Sequence, residues 1–120
     1  LYQHSTLLEE LQQFKYSIYK IYLNDLEIGK SYYRIRRGYP DWYIDTFLIE
    51  EMYQEEGYGT YLMNYICNQM WSEQHYPIRI YPVGSTEEKK LKFVSWLTKR
   101  DFVAISDTVP GRKEYSLDPY

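Results

Sequence analysis

The apolar positions of this chain change period several times, and those changes mark out its elements. In "STLLEELQQF", Leu7, Leu8 and Leu11 form a stripe at helical spacing behind Ser5, a candidate N-cap. The pattern predicts a short helix over about residues 5–14. "YSIYKIYL" (16–23) is rich in tyrosine and isoleucine with partial alternation, and predicts a strand. "NDLE" (24–27) is a turn, and "IGKSYYRIR" (28–36) is the returning strand of a hairpin. After the turn "RGYPD" (37–41), broken by Gly38 and Pro40, "WYIDTFLI" (42–49) reads as a third strand. Its nearly continuous apolar end predicts burial on both faces.

A helix follows from near Gly57. Leu62, Met63, Ile66, Cys67 and Met70 recur at three- and four-residue spacing and form a core-facing stripe. "PIRIYP" (77–82) is a strand delimited by Pro77 and Pro82. "GSTEEKKLKFVSWLTKR" (84–100) predicts a helix capped by Ser85 or Thr86, with Phe93, Trp96 and Leu97 toward the core. "DFVAISD" (101–107) and "RKEYSLD" (112–118) read as strands around the turn "TVPG" (108–111). The order is α-β-β-β-α-β-α-β-β. A right-handed crossover is natural only for the central β-α-β, so the expected fold is an α/β layered domain with a mixed, mostly antiparallel sheet.

A length of 120 residues sets one domain as the expectation. Apolar content of 44% excludes a disordered chain. Sixteen tyrosines suit a half-buried sheet and polar-tipped grooves. The formal net charge of −3 argues against a nucleic-acid partner and fits a cationic one, such as an amine or a lysine side chain. One cysteine excludes an internal disulfide framework and a cysteine zinc site. His4 and His75 are far apart without a cysteine or carboxylate context, so no metal is expected. No apolar run reaches the ~18 residues of a membrane span, and no signal-peptide pattern opens the chain. A cytoplasmic protein is the default expectation; the start at Leu1 rather than Met fits a trimmed N-terminus.

The chemistry concentrates in "YQEEGYGTYLMNYI" (53–66), where the chain leaves a strand and enters a helix. Gly57 and Gly59 permit backbone angles closed to other residues and keep side chains out of a ligand's way. The free N–H groups of the first helical turn, with the helix dipole, make an anion site. An ordinary tight turn is the alternative reading. The spacing Gln54-x-x-Gly57-x-Gly59 resembles the acyl-CoA pyrophosphate loop of the GCN5-related N-acetyltransferase superfamily, Gln/Arg-x-x-Gly-x-Gly/Ala. Ile49 precedes Gln54 by five positions, as the family's strand-ending aliphatic residue does. "IRIYP" and "FVSWLTKRDF" resemble its second half, and the resemblance covers roughly residues 16–118.

The resemblance implies acetyl-CoA as cosubstrate and acetyl transfer to an amine-bearing acceptor, a small molecule or a protein lysine. The pyrophosphate would lie on the backbone of the loop Gln54, Glu55, Glu56, Gly57, Tyr58, Gly59 and Thr60. The pantetheine arm would follow the strand 42–49, where a bulge splays it from its neighbour. A backbone N–H near Leu48 or Ile49 would stabilise the oxyanion. The amine must lose a proton, and Asp45 is the candidate base; alternation places it on one face with Tyr43, Phe47 and Ile49. A solvated or hydrogen-bonded strand residue is the competing reading of Asp45.

The chain departs from the family in three places. Leu97 stands where the family has a tyrosine that protonates the leaving thiolate, and Asp101 stands at its glycine; Tyr81 is the substitute acid. The family's asparagine falls at Lys90, and Lys89, Lys90 and Lys92 read as a phosphate contact or as a solvated helix face. The N-terminal region is short, which leaves the acceptor cleft open for a protein or peptide lysine, or completed by a second chain in a homodimer. Arg34 and Arg36 share one strand face and read as a solvated edge or an acidic-partner patch. A non-catalytic module of the same fold is the alternative function.

Overall fold

The computed structural model describes residues 6–13, 16–38, 40–105 and 113–119. Its elements are β1 (Thr6–Gln13), β2 (Tyr16–Leu23), β3 (Leu26–Arg36), β4 (Asp41–Ile49), α1 (Tyr58–Glu73), β5 (Ile78–Ile80), α2 (Glu87–Thr98), β6 (Val103–Ala104) and β7 (Tyr115–Leu117), with a 3₁₀ turn at Glu51–Tyr53. The chain forms two compact units, one of residues 1–34 with 44–74 and the other of residues 35–43 with 75–120. Ser5, His4 and the turn at 108–111 lie outside the described residues.

The first unit holds strands in the order β1-β2-β3-β4 and the helix α1. Here one expectation is overturned. Residues 6–13 form a strand, not a helix, and pair antiparallel with β2 from Thr6↔Leu23 to Gln13↔Tyr16. Isolated short helices are marginal, and an eight-residue ladder on an existing strand supplies backbone partners that a helical stripe cannot match.

The β2–β3 hairpin turns on Asn24 and Asp25, both left-handed, with φ of 51° and 71°. Two left-handed residues match the twist of the flanking strands, which is why asparagine and aspartate stand there. The α1 stripe is as the spacing predicts: Leu62, Met63, Ile66, Cys67 and Met70 are its buried residues. Tyr19 of β2 stacks on Tyr33 of β3 and meets Tyr65 of α1 edge-on, at 5.9 and 5.3 Å between ring centroids. These contacts place α1 on the sheet face that carries the odd-numbered residues 19 and 33.

The second unit joins the start of β4 to β5, β7 and β6 in that order, with α2. β5 and β7 are antiparallel, as are β6 and β7. Thr86 caps α2, its Oγ1 accepting from the Lys89 N–H at 3.1 Å. The helix ends in a Schellman turn: Phe102 N–H donates to the Leu97 carbonyl and Asp101 N–H to that of Thr98. Asp101 takes the left-handed position at φ 71°, so it does the backbone work of the family's glycine. Leu97 and Phe102 are buried beneath the turn, whereas Phe93 and Trp96 are only half-buried and stack on each other.

One group in this unit contradicts the sequence reading. Arg36 is not on a solvated edge. It donates to both carboxylate oxygens of Asp41 at 2.8 and 2.7 Å and to both of Glu114 at 2.9 and 3.0 Å. Its guanidinium also lies 4.1 Å from the Tyr43 ring centroid. Arg79 adds a longer contact to Asp41 at 3.4 Å. Asp41 is 0% exposed and Glu114 2%, so two buried anions are neutralised by two half-buried cations.

Candidate functional site

The residues singled out by sequence fall in both units. Asp45, Leu48, Ile49 and the loop 54–60 belong to the first, Tyr81 and Lys90 to the second.

The loop is built by three local constraints. Tyr53 and Gln54 N–H groups donate to Glu50 and Glu51 carbonyls, which coils the chain as it leaves β4. The Gln54 side-chain amide then reaches back and donates to the Ile49 carbonyl at 2.8 Å. Across the loop, the Tyr53 and Tyr58 rings meet edge-to-face at 6.4 Å. The sequence marked Gln54 by family spacing; its side chain is the latch of the turn.

Gly57 enters α1 with φ 92°, a left-handed backbone that favours glycine. An added Cβ there would meet nothing within 4 Å, so space in front of the turn is open. No side chain caps the helix at Gly57, and its first turn holds no acid. The first intrahelical bond is from Tyr61 N–H to the Gly57 carbonyl at 3.0 Å, so the Tyr58 and Gly59 N–H groups have no acceptor within the helix. A sixteen-residue helix therefore presents its positive end at an open glycine turn. Glu55 and Glu56 are exposed, and Glu55 is itself left-handed at φ 66°. These features fit an anion held by backbone donors.

β4 carries a register break beside this loop. Trp42 N–H donates to the Pro77 carbonyl at the start of β5, whereas Glu50 N–H donates to Ile28 of β3. The side chains tell the same story. Asp45 meets Arg34 on one face of β3, while the Ile49 side chain lies against Gly29 and Ile21 on the other. Asp45 thus does not share a face with Ile49, contrary to simple alternation. The break falls between Asp45 and Leu48, and such irregularities free backbone groups from the ladder.

Gly29, which the sequence reading passed over, makes this packing possible. A Cβ there would lie 2.5 Å from Ile49 Cδ1 and 2.8 Å from the Leu48 carbonyl oxygen. A lone glycine inside a strand pattern is the signal that could have found it. Asp45 Oδ2 accepts from Arg34 Nε at 2.9 Å, so the candidate base is held in an ion pair. In the second unit, Lys90 Nζ lies 6.0 Å from the Tyr81 ring centroid, and both are half-buried. Lys89 and Lys92 are exposed on α2. Among the described residues no cluster of His, Cys, Asp or Glu is placed to hold a metal ion, and no helix is long and apolar enough to cross a membrane.

This fold is that of the GCN5-related N-acetyltransferases. The N-acetyltransferase YlbP of Bacillus subtilis, solved with coenzyme A, is 18% identical with a TM-score of 0.68, over 85% of this chain and 67% of that one. Naa50 of Arabidopsis thaliana, solved with the bisubstrate analogue CoA-Ac-MVNAL, is 19% identical with a TM-score of 0.62, over 82% and 69%. The anti-CRISPR protein AcrVA5 is 20% identical with a TM-score of 0.58, over 73% of this chain and 88% of that one. The chain thus spans about two thirds of the first two and most of the third. No family model and no curated protein sequence matches it.

Proposed function

We propose that this chain is an N-acetyltransferase that moves an acetyl group from acetyl-CoA to a primary amine. The observation that carries the reading is the open, left-handed Gly57 at the uncapped start of α1. In this reading the backbone of Gln54–Thr60 holds the pyrophosphate, and exposed Glu55 and Glu56 leave that task to N–H groups alone. Acetyl-CoA supplies an activated thioester. The broken register of β4 offers Ile49, rather than Leu48, as oxyanion donor, because Glu50 N–H and the Leu48 carbonyl turn toward β3. Asp45 is the base that takes the amine proton once Arg34 yields; in the second unit, Tyr81 is the candidate acid for the leaving thiolate and Lys90 a candidate phosphate contact. The YlbP and Naa50 complexes, which hold coenzyme A and a CoA-peptide analogue, support the assignment of cosubstrate and of an amine on a polypeptide.

A second reading rests on Leu97. The position of the family's acid tyrosine is a fully buried leucine with no proton to give, which favours a CoA-binding module without turnover. Native mass spectrometry with acetyl-CoA tests the shared step: no mass shift at millimolar cofactor rejects both. A thiol-release assay with lysine peptides then separates them. Asp45→Asn should lower turnover and leave acetyl-CoA affinity in place; an unchanged pH–rate profile removes Asp45 as base.

A further inference from the structure

We propose that the sheet face bearing Asp45 receives the acceptor as an extended polypeptide, and that Lys30 selects an acidic residue about four positions from the acceptor lysine. This rests on the acetyl-transfer reading above and adds the substrate's class and a specificity residue.

The face opposite α1 carries a row of side chains on β2 and β3. The register pairs Ile18 with Tyr32 and Lys20 with Lys30. Lys30 Nζ lies 5.7 Å from the Tyr32 ring centroid, and Tyr32 lies 6.5 Å from Tyr16. Arg34 covers Tyr16 at 5.9 Å and ends on Asp45. Ile18 is buried, the tyrosines, the lysines and Arg34 are half-buried and Asp45 is exposed, so the rings and charges lie at the surface rather than in the core.

The charges along this row are unevenly answered. Arg34 pairs with Asp45, and Lys20 with Glu27 at 3.3 Å. Lys30 has no ion pair among the described residues, and it stands directly across from Lys20. Lys20 is answered by Glu27 and has Glu9 opposite it on β1, which leaves Lys30 as the cation of this row that an incoming carboxylate would pair. Two tyrosines between the cation and Asp45 give flat apolar contact with polar tips, suited to a peptide stem. Arg34 and Lys30 are four residues apart on β3, about 13 Å along the strand, which an extended peptide spans in about four residues. A lysine delivered to Asp45 therefore places a residue four positions away over Lys30.

The test is a set of eleven-residue peptides with a central lysine and one glutamate walked through every other position. Acetylation with acetyl-CoA is read as kcat/KM, and binding without cofactor as fluorescence anisotropy of labelled peptides. The expected result is a maximum with glutamate four residues from the lysine, roughly threefold to fivefold above the alanine control. Lys30→Gln should flatten the profile, and Lys30→Glu should favour a lysine at that position. A flat profile, or a preference that both variants keep, overturns the proposal even where acetyl transfer proceeds. Binding remains readable if no transfer occurs, so loss of the enzyme reading and loss of this inference give different results. Tighter binding of a twelve-nucleotide single strand than of any glutamate peptide also overturns it.

Discussion

The side-chain amide of Gln54 donates to the carbonyl of Ile49 at 2.8 Å, so one bond ties the glycine loop to the end of the strand that precedes it. The bond spans the 3₁₀ turn at Glu51–Tyr53 and fixes where the loop begins. Gln54→Ala should remove about 1 kcal/mol of loop order, read as roughly fivefold weaker acetyl-CoA binding by calorimetry. The melting temperature should change little, because Gln54 is exposed. Unchanged affinity would mean that the loop holds its shape without the latch.

The buried charges of the second unit make a stability prediction. Asp41→Asn leaves Arg36 and Arg79 with one carboxylate between them, in surroundings where Asp41 is 0% exposed. Breaking a buried pair from one side costs about 3–5 kcal/mol, measurable by urea unfolding. Glu114→Gln should behave similarly. The double variant Arg36→Met/Glu114→Met should cost less than the sum of the single changes, since it leaves no orphan at the Glu114 side.

Reading the fold from sequence worked where the relevant physics was local. The α1 stripe, the Thr86 cap and the Gly57 turn depend on neighbours within a few residues. The helix expected at residues 5–14 failed because its competitor was a ladder with β2, and pairing outweighs a weak helical pattern. Arg36 failed for a similar reason: Glu114 lies 78 positions away, and no spacing rule brings it to β3. The face of Asp45 was misjudged because alternation assumes an unbroken strand, and β4 is broken. Of the candidate site, the loop was legible as a motif; its latch and the glycine behind Ile49 were not.

Cys67 makes a prediction with a defined pH window. Burial pushes its thiol up to about 12. Unfolding returns it to the ordinary value near 9, so between those values the unfolded chain has lost a proton that the folded chain keeps. This contribution to stability is intact below about pH 9 and falls as pH rises through the window. Cys67→Ser should flatten that part of the stability–pH curve. Native protein at pH 8 should not react with a disulfide reagent within minutes, whereas protein in denaturant should release one equivalent per chain.

Asp101 holds a left-handed position at the end of α2. Glycine adopts that backbone without steric cost, so Asp101→Gly should stabilise the protein by about 0.5–1 kcal/mol in thermal or urea unfolding. A loss of stability would show that the aspartate side chain contributes more than its backbone costs.

Glu55 occupies the same kind of backbone in the candidate loop, exposed at φ 66°. Ease of folding alone would place glycine or asparagine there. An acid held against that preference, beside a turn suited to phosphate, limits how tightly the turn can grip. On the acetyl-transfer proposal, this would trade affinity for turnover: a moderate hold on the pyrophosphate would let the spent carrier leave, and release of product often sets the pace of enzymes.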